Sequence, residues 1–448
     1  MAGGFIWDWV DQGIYAPGTN HVLYGGDFGD KPNLKAFCLN GVVFSDRSVS
    51  AKYQEVKHVY APVWITQKGD EIWVKNHHSH LSLEGFSCQY QVTKNGAVGQ
   101  KGELKMPSVQ PGDSARLCTL HDFKTYKNTD SRLNLSVISQ QGVEVGRKQI
   151  ALSDDLYEAG RKLAADAMKR YKSSRRLATL STAELLARNF SVIPQFFRAP
   201  TDNDKSFGNW IAKDWKKTHL DSTLSAIPLK DGEYVYHYGE DGASDKAGSS
   251  ASAKFGGNIR LRLEVSPQQD GFVDVKATYS FEGNLPELPR LGLMLKLPRV
   301  AYDQVKWYGR GPWENYPDRK QSCPIGWYES SVENQFTHYP RPQDNGNHED
   351  CSYIELTNKN GKNALQVIAA GDTPLSFSAL PYSVADLYAA RHDFELKQSG
   401  NPNLRYTCLS LDCAVLGLGN SSCGPGVLKK YAIDKTKTYT LHFKMRIL

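Results

Sequence analysis

Long apolar runs are missing from this sequence of 448 residues. No stretch approaches the ~20 consecutive apolar residues that a membrane-spanning helix needs. Basic charge is not concentrated either, because a formal net charge of +6 is small for this length and acidic and basic residues alternate along most of the chain. We therefore expect neither a membrane nor a nucleic acid as a partner, since a nucleic-acid surface needs clustered Lys and Arg.

Motifs for metal and nucleotide chemistry are also missing. The sequence has no P-loop, no nucleophile elbow and no CxxC pair. His78 and His80 share a face of a predicted strand, but Glu84 is the one acidic neighbour, so a metal site there is disfavoured. Buried free thiols are the simplest interpretation of the eight cysteines, although disulfides in an oxidising compartment stay open: Cys38, Cys88, Cys118, Cys323, Cys351, Cys408, Cys413 and Cys423.

Aromatic and apolar residues are plentiful. Hydrophobic residues make up 40% of the chain, and 23 Tyr, 17 Phe and 9 Trp favour β-structure. The length predicts two to four domains. Neither the cytoplasm nor the periplasm is favoured as the compartment.

Alternating strand patterns divide the chain. Residues 1–62 contain one strand-like run and long loops, too little periodic sequence for a domain. Residues 63–152 have short alternating stretches separated by turn signals, which is typical of a small antiparallel sandwich. Residues 153–190 form a linker with a predicted helix over 153–172, and residues 191–448 are again rich in strands, which predicts a large antiparallel β-sandwich.

The first strand-like run carries aromatic and acidic side chains together. Phe5, Trp7 and Trp9 alternate along it and Asp8 lies between the two tryptophans. An indole can cover the apolar face of a pyranose while a carboxylate binds its hydroxyls, which suits a sugar site. On spacing alone, tryptophans packed in a core remain the simpler alternative.

Oxygen donors recur near glycines in the next loops. Asp27, Asp30, Asn33 and Asn40 could bind a hard cation. Composition alone favours plain turn residues at these positions.

Five motifs resemble the large bacterial β-galactosidases of glycoside hydrolase family 2. They occur in the family's order: GGFIWDWVDQG, YGGDFGDKPN, FCLNGVVFSDR, FFRAPTDND at residues 196–204 and WYGRGPWENYPDR at residues 307–319. The resemblance implies a mainly all-β fold: a remnant of a (β/α)8 barrel at the amino terminus, an immunoglobulin-like sandwich and a large antiparallel β-sandwich.

The resemblance also implies roles for individual residues. Trp7 matches the tryptophan that packs against the galactosyl unit. Asn40 and the backbone carbonyl of Phe37 match ligands of a sodium ion, and Asn33 matches a residue at a secondary magnesium site. Cys423 stands where the best-known members place a tryptophan near the substrate, and the helix at 153–172 replaces strands with which the family usually begins its last sandwich.

The implied activity is hydrolysis of terminal β-D-galactosyl residues by a retaining mechanism. In this family both catalytic glutamates and the ligands of the catalytic magnesium precede the region matched here, so we expect no catalytic residue and no appreciable activity in the isolated chain. The implied partners are a β-galactoside and a barrel-bearing amino-terminal chain or region, and a homo-oligomer is compatible with them. Phe5, Trp7 and Trp9 should then be exposed in the lone chain.

The alternative is a free-standing carbohydrate-binding or structural β-sandwich protein without catalysis. It would bind sugar by itself and have no stable partner.

Overall fold

The computed structural model describes residues 4–172, 191–205, 211–240, 254–361, 364–397, 405–419 and 426–448. Strands in antiparallel sheets dominate these residues, which confirms the mainly all-β class. No helix among them is both long and apolar enough to cross a bilayer. The seven cysteines in these ranges are free thiols, and five of them are buried.

The amino-terminal segment, residues 4–62, has little regular structure. It contains a short hairpin of β1 (Ile14–Tyr15) and β2 (Val22–Leu23), a 3-10 turn at Lys35–Cys38, and helix α1 (Ala51–Val59). Ser50 caps α1 by accepting a hydrogen bond from the Lys52 amide. Among the described residues, the strand-like run around Trp7 pairs only with the run around Val43, through a parallel bridge between Val10 and Val43.

Two antiparallel sheets follow and pack face to face. The first has the order β3-β4-β7, and its strands are β3 (Val63–Lys68), β4 (Glu71–Asn76) and β7 (Ser114–Thr119). The second has the order β6-β5-β8-β9, and its strands are β5 (Ser87–Lys94), β6 (Ala97–Lys105), β8 (Ser131–Ile138) and β9 (Glu144–Ser153). Alternate apolar residues of both sheets fill the core between them: Ile72, Val74, Cys88, Val92, Leu133, Leu135 and Val137.

The predicted helix is present as α2 (Leu156–Lys172). Its buried face, which includes Ala159 and Ala164, packs on Tyr353 and Ile368 of the large sandwich. At Gly160 the helix approaches the sheet so closely that a Cβ atom would lie 2.6 Å from the Ser352 carbonyl oxygen. The small residues of this helix therefore allow it to lie directly on the sheet.

The large sandwich is built from two sheets. One is made of β10 (Ser191–Gln195), β11 (Ile227–Pro228), β15 (Arg290–Pro298), β18 (His348–Cys351), β21 (Leu375–Leu380) and β22 (Tyr406–Val415). The other is made of β12 (Gly232–Gly239), β13 (Gly256–Pro267), β14 (Val273–Asn284), β16 (Gln304–Arg310), β17 (Ile325–Ser331), β19 (Tyr353–Thr357), β20 (Leu365–Ala369) and β23 (Tyr439–Ile447). Their orders are β11-β10-β15-β22-β21-β18 and β12-β13-β14-β23-β20-β19-β16-β17.

The main core lies between these two sheets. Val275 and Ala277 of β14 and Leu293 and Leu295 of β15 are fully buried in it. Short helices occupy the connections: α3 (Asp202–Lys205), α4 (Ile211–Lys217), α5 (Val332–Gln335) and α6 (Val384–Ala389). 3-10 turns are found at Leu120–Asp122, Asp393–Glu395 and Lys429–Tyr431.

A buried charged group joins the small sandwich to the large one. Arg132 donates to the Asp130 carboxylate through Nε at 2.8 Å, and the Tyr308 hydroxyl donates to the same carboxylate at 2.6 Å. Asp130 and Tyr308 are fully buried. Burial and the neighbouring Asp130 carboxylate raise the pKa of Tyr308, so the hydroxyl stays protonated and donates.

Replacing Asp130 by alanine should destabilise the chain by about 3 to 5 kcal/mol, because it leaves the Arg132 guanidinium buried without its main counter-ion. Urea unfolding followed by tryptophan fluorescence would measure the loss. Asp113→Ala, at an exposed turn of the same sandwich, is the matched control and should change stability little. Equal stability of the two variants would contradict the role of this joint.

Candidate functional site

Two runs of the amino-terminal segment, residues 7–11 and residues 40–43, lie side by side. Val42 donates to the Asp8 carbonyl at 3.0 Å, Val43 to the Trp9 carbonyl at 2.9 Å, and Asp11 to the Val43 carbonyl at 2.9 Å. Gly41 lies where the two backbones are closest. The pairing brings Trp7 and Asp8, from the first run, beside Asn40, from the second.

Gly41 has no room for a side chain. A Cβ atom there would lie 2.1 Å from the Asp11 nitrogen, 2.5 Å from the Val10 carbonyl carbon and 2.6 Å from the Val43 oxygen. All three are backbone atoms, so a neighbouring side chain could not move aside to make space. Glycine is required next to Asn40 for this close approach.

The side-chain oxygen of Asn40 is buried and accepts no hydrogen bond from the described residues. A buried amide oxygen without a donor is costly, and a bound cation or hydroxyl group satisfies it. Phe37, whose carbonyl the resemblance assigns to the same ion, lies three residues earlier in the 3-10 turn Lys35–Cys38. The Asn40 oxygen therefore fits a sodium ligand.

Asn33 and the acidic residues before it stabilise turns. Asn33 donates through Nδ2 to the Asp30 carbonyl at 2.7 Å and accepts from the Lys35 amide at 3.1 Å. The Asp30 carboxylate accepts from the Gly26 amide at 2.9 Å. No group of three or more His, Cys, Asp or Glu side chains in the described ranges is arranged to hold a metal ion. The magnesium role of Asn33 stays a prediction.

Trp7 is 78% exposed. No described element covers the indole, so Trp7 does not pack in a core formed by the described residues. Phe5 and Trp9 are exposed as well, as expected. The Asp8 carboxylate beside Trp7 accepts from the Trp9 amide at 2.6 Å and from Gln12 Nε2 at 2.5 Å. The indole and the carboxylate are thus both accessible to a sugar.

Asp11 and Lys52 lie behind Asn40. The buried Asp11 carboxylate accepts from the Gly41 amide at 2.7 Å, and Lys52 donates through Nζ to the Gly41 carbonyl at 2.5 Å. Burial raises the pKa of Asp11, against the opposing effect of the Lys52 ammonium. Burial likewise lowers the pKa of Lys52, and Asp11 opposes it.

The fifth motif contributes a buried carboxylate to the same region. Glu314 accepts from Arg319 Nη2 at 2.8 Å, from the Tyr339 hydroxyl at 2.7 Å and from the Gly346 amide at 2.7 Å. Burial by itself raises the pKa of Glu314, but Arg319 and the hydrogen bonds outweigh it and the pKa is lowered overall. The ring of Tyr339 in turn lies 5.7 Å from Lys52 Nζ.

The fourth and fifth motifs hold residues 416–419 between them. Arg198 and Asp204 form a fully buried bidentate ion pair, with distances of 3.0 and 2.8 Å, and Arg198 also donates to the Leu416 carbonyl at 2.7 Å. Asp318 accepts from the amides of Leu418 and Gly419 at 2.9 and 2.8 Å. Cys423, predicted to lie near the substrate, falls outside the described residues.

The second motif docks on the large sandwich. Asp27 lies 2.8 Å from Nε2 of His392, whose Nδ1 lies 2.9 Å from Glu395. The Tyr24 ring stacks on the same imidazole at 4.7 Å, and the Tyr24 hydroxyl donates to the Arg391 carbonyl. The hydrogen bonds to the Tyr24 amide and to His392 outweigh burial and lower the pKa of Asp27.

Sequence reasoning missed several of these polar partners. Lys52, Tyr339 and His392 stand outside the quoted motifs, and no local pattern distinguishes them from surface residues. Glu314, Asp318 and Arg198 stand inside the motifs, which marked them without indicating what they contact. Arg319 and Asp204 lie in the same motifs as Glu314 and Arg198, but the other partners are distant in sequence and could not be read from spacing.

Three family models match consecutive parts of the chain. The model described as "Beta galactosidase small chain" matches residues 169–445. The TIM barrel domain of the glycosyl hydrolases family 2 matches residues 1–65. Domain 4 of β-galactosidase matches residues 72–153.

Curated relatives match along the whole chain. A β-galactosidase of Priestia megaterium is 28% identical over 100% of this chain and 45% of its own length. One of Lactobacillus delbrueckii subsp. bulgaricus is 29% identical over 100% of this chain and 44% of its own. One of Vibrio vulnificus is 27% identical over 99% of this chain and 46% of its own. The chain spans less than half the length of these relatives.

Gly41→Ala should separate the two paired runs, because its Cβ would overlap backbone atoms of both. Overpacking of this kind typically costs about 1 to 3 kcal/mol. Hydrogen exchange of the amides of Asp11, Val42 and Val43 would measure the change and should become faster. Gly4→Ala, where no atom lies within 4 Å of the added Cβ, is the control. Unchanged exchange in Gly41→Ala would show that the two runs are not held as described.

Proposed function

The chain belongs to the β-galactosidase small chain family, and on that premise we propose that it forms part of a β-galactosidase that hydrolyses terminal β-D-galactosyl residues with retention. The observation that carries the proposal is that two paired backbone runs bear an exposed indole, Trp7, and a buried side-chain oxygen, Asn40 Oδ1, that has no donor among the described residues. A flat aromatic ring beside a hydrogen-bond acceptor suits a pyranose, which has an apolar face and hydroxyl groups.

In this proposal each residue has a separate task. The Trp7 indole covers the apolar face of the galactosyl ring. Asn40 Oδ1 and the Phe37 carbonyl hold sodium, which when bound attracts sugar hydroxyl oxygens by its charge. Asn33 contributes to a secondary magnesium site, and Cys423, which falls outside the described residues, is assigned to the substrate site from the resemblance alone.

The bond-breaking carboxylates belong to another part of the enzyme. A retaining glycosidase needs two of them about 5 to 5.5 Å apart, one as nucleophile and one as acid and base. We assign both, together with the catalytic magnesium, to the remainder of the (β/α)8 barrel. The isolated chain is therefore inactive and supplies scaffold and one wall of the pocket.

The partner is a polypeptide region that carries the rest of the barrel. Large apolar side chains of the amino-terminal segment stand in solvent here: Phe5, Trp7, Trp9, Ile14, Phe28 and Leu34. Such a surface on one short segment is typical of an interface. Barrel strands beside residues 5–10 would pair with their backbone and cover the apolar side chains other than Trp7, which stays open to the sugar. Association into a homo-oligomer is compatible with this arrangement.

The test is reconstitution with a barrel-bearing chain from a family 2 β-galactosidase. We expect no turnover of an aryl β-galactoside by this chain alone and steady turnover by the mixture. Turnover by the pure chain, or a mixture that stays inactive while the chain alone binds galactose, would contradict the proposal. The second result would favour a free-standing carbohydrate-binding protein.

Trp7→Ala should raise KM of the reconstituted enzyme about tenfold, equivalent to about 1.4 kcal/mol of lost binding. The reason is that the indole contacts the sugar in both the ground state and the transition state. Trp64→Ala, at a half-exposed tryptophan of the small sandwich, is the control and should leave KM unchanged. Equal KM values for both variants would remove Trp7 from the site.

A further inference from the structure

Charged side chains hold the two peptide groups that flank Gly41, one on each side of its Cα atom. Asp11 accepts from its N–H at 2.7 Å, and Lys52 donates to its carbonyl oxygen at 2.5 Å. Asp11 is 5% exposed. Hydrogen bonds that involve an ionised group are stronger and shorter than neutral ones. Two of them at opposite ends of one residue fix the orientation of the backbone that carries Asn40.

Lys52 is an unexpected residue at this place. It lies on helix α1, where Lys57 of the same helix is exposed. A desolvated ammonium costs free energy unless it is paired, and an apolar side chain of similar size would fill the same space at lower cost. The hydrogen bond to the Gly41 carbonyl therefore explains the position of Lys52 better than side-chain packing does.

The large sandwich supports Lys52 from the other side. The ammonium lies 5.7 Å from the centre of the Tyr339 ring. The Tyr339 hydroxyl donates to Glu314, which Arg319 also binds. A chain of contacts thus leads from the fifth motif through Tyr339 and Lys52 to Gly41, although Lys52 and Glu314 are far apart in sequence.

We propose that Lys52 and Asp11 are positioning residues that fix the backbone on both sides of Gly41 and thereby aim Asn40 Oδ1 into the sugar and cation site; this rests on the proposed function. Asn40 and Gly41 share a peptide bond, so rotation of the Gly41 backbone displaces Asn40. Neither Lys52 nor Asp11 touches the substrate in this arrangement. Their effect on the reaction passes through Asn40.

The first test uses the chain as it is. We compare wild type, Lys52→Met and the control Lys57→Met by hydrogen exchange of individual backbone amides. Lys52→Met should speed exchange of the Gly41 amide at least tenfold while the Asp11 amide, bonded to Val43 in the same pair of runs, changes much less. Lys57→Met should match wild type.

An unchanged exchange rate at the Gly41 amide would overturn the proposal. An equal increase at the Gly41 and Asp11 amides would also overturn it, because it would report a general loosening of the segment. Should Lys52→Met fail to fold, Asp11→Asn replaces it. That variant keeps a side-chain oxygen but removes the charge, and its Gly41 amide should exchange faster than in wild type.

The second test uses the reconstituted enzyme. Lys52→Met should raise KM for an aryl β-galactoside about tenfold with a smaller fall in kcat, and Lys52→Arg should restore part of the affinity. Sodium binding should also raise Tm. The sodium concentration that gives half of this rise should be about tenfold higher for Lys52→Met than for wild type. A purely structural lysine would lower Tm without moving the sodium midpoint or KM, and that outcome would overturn the proposal. If wild type shows no reconstituted activity, the proposed function fails, and the exchange pattern at Gly41 alone decides the positioning role.

Discussion

Partly buried charged groups fix the amino-terminal segment on the large sandwich. The segment has only a small apolar cluster of its own, around Tyr24, Ala36 and Leu39. Its attachment uses the Asp27 contact with His392, the Lys52 contacts near Tyr339 and the Glu55 carboxylate, which accepts from the Gln321 and Ser322 amides at 3.1 and 2.9 Å. Polar contacts of this kind add less net stability than apolar burial but allow one geometry only. The candidate site depends on that geometry because Asn40 and Trp7 both belong to the segment.

The same logic explains why the conspicuous motifs of the large sandwich are rich in charge. Arg198 and Asp204 neutralise each other in a fully buried pair and leave guanidinium donors for the carbonyls of Leu416 and Gly417. Glu314 is held in its charged form by Arg319 and three neutral donors. In each case a side chain from a motif organises backbone that comes from elsewhere in the chain. These motifs build the frame of the site from a distance.

The sequence was sufficient for the fold class and for individual elements. Alternating stretches predicted an antiparallel, strand-rich fold, and helical spacing over residues 153–172 predicted α2. Spacing could not establish the exposure of Trp7, because the same alternation describes a core strand. The pairs Asp27–His392 and Asp130–Tyr308 are separated by 365 and 178 residues, and such contacts depend on tertiary structure alone. The domain limits and the role of Cys423 stay predictions.

Helix α2 changes the nature of the sheet beneath it. Strands β19 and β20 are buried along their whole length, including their polar residues Glu355 and Gln366, which bond to each other, so neither face of this part of the sheet is wet. Arg446 binds the Ala164 carbonyl at 2.8 Å and lies over the Phe272 ring, which anchors the helix at its centre. The outward side of the helix presents Arg161, Asp166 and Lys169 to water. Without the helix, Tyr353 and Ile368 would face solvent. The helix replaces this surface with side chains of both charges, which disfavours association of two copies of the chain through that face.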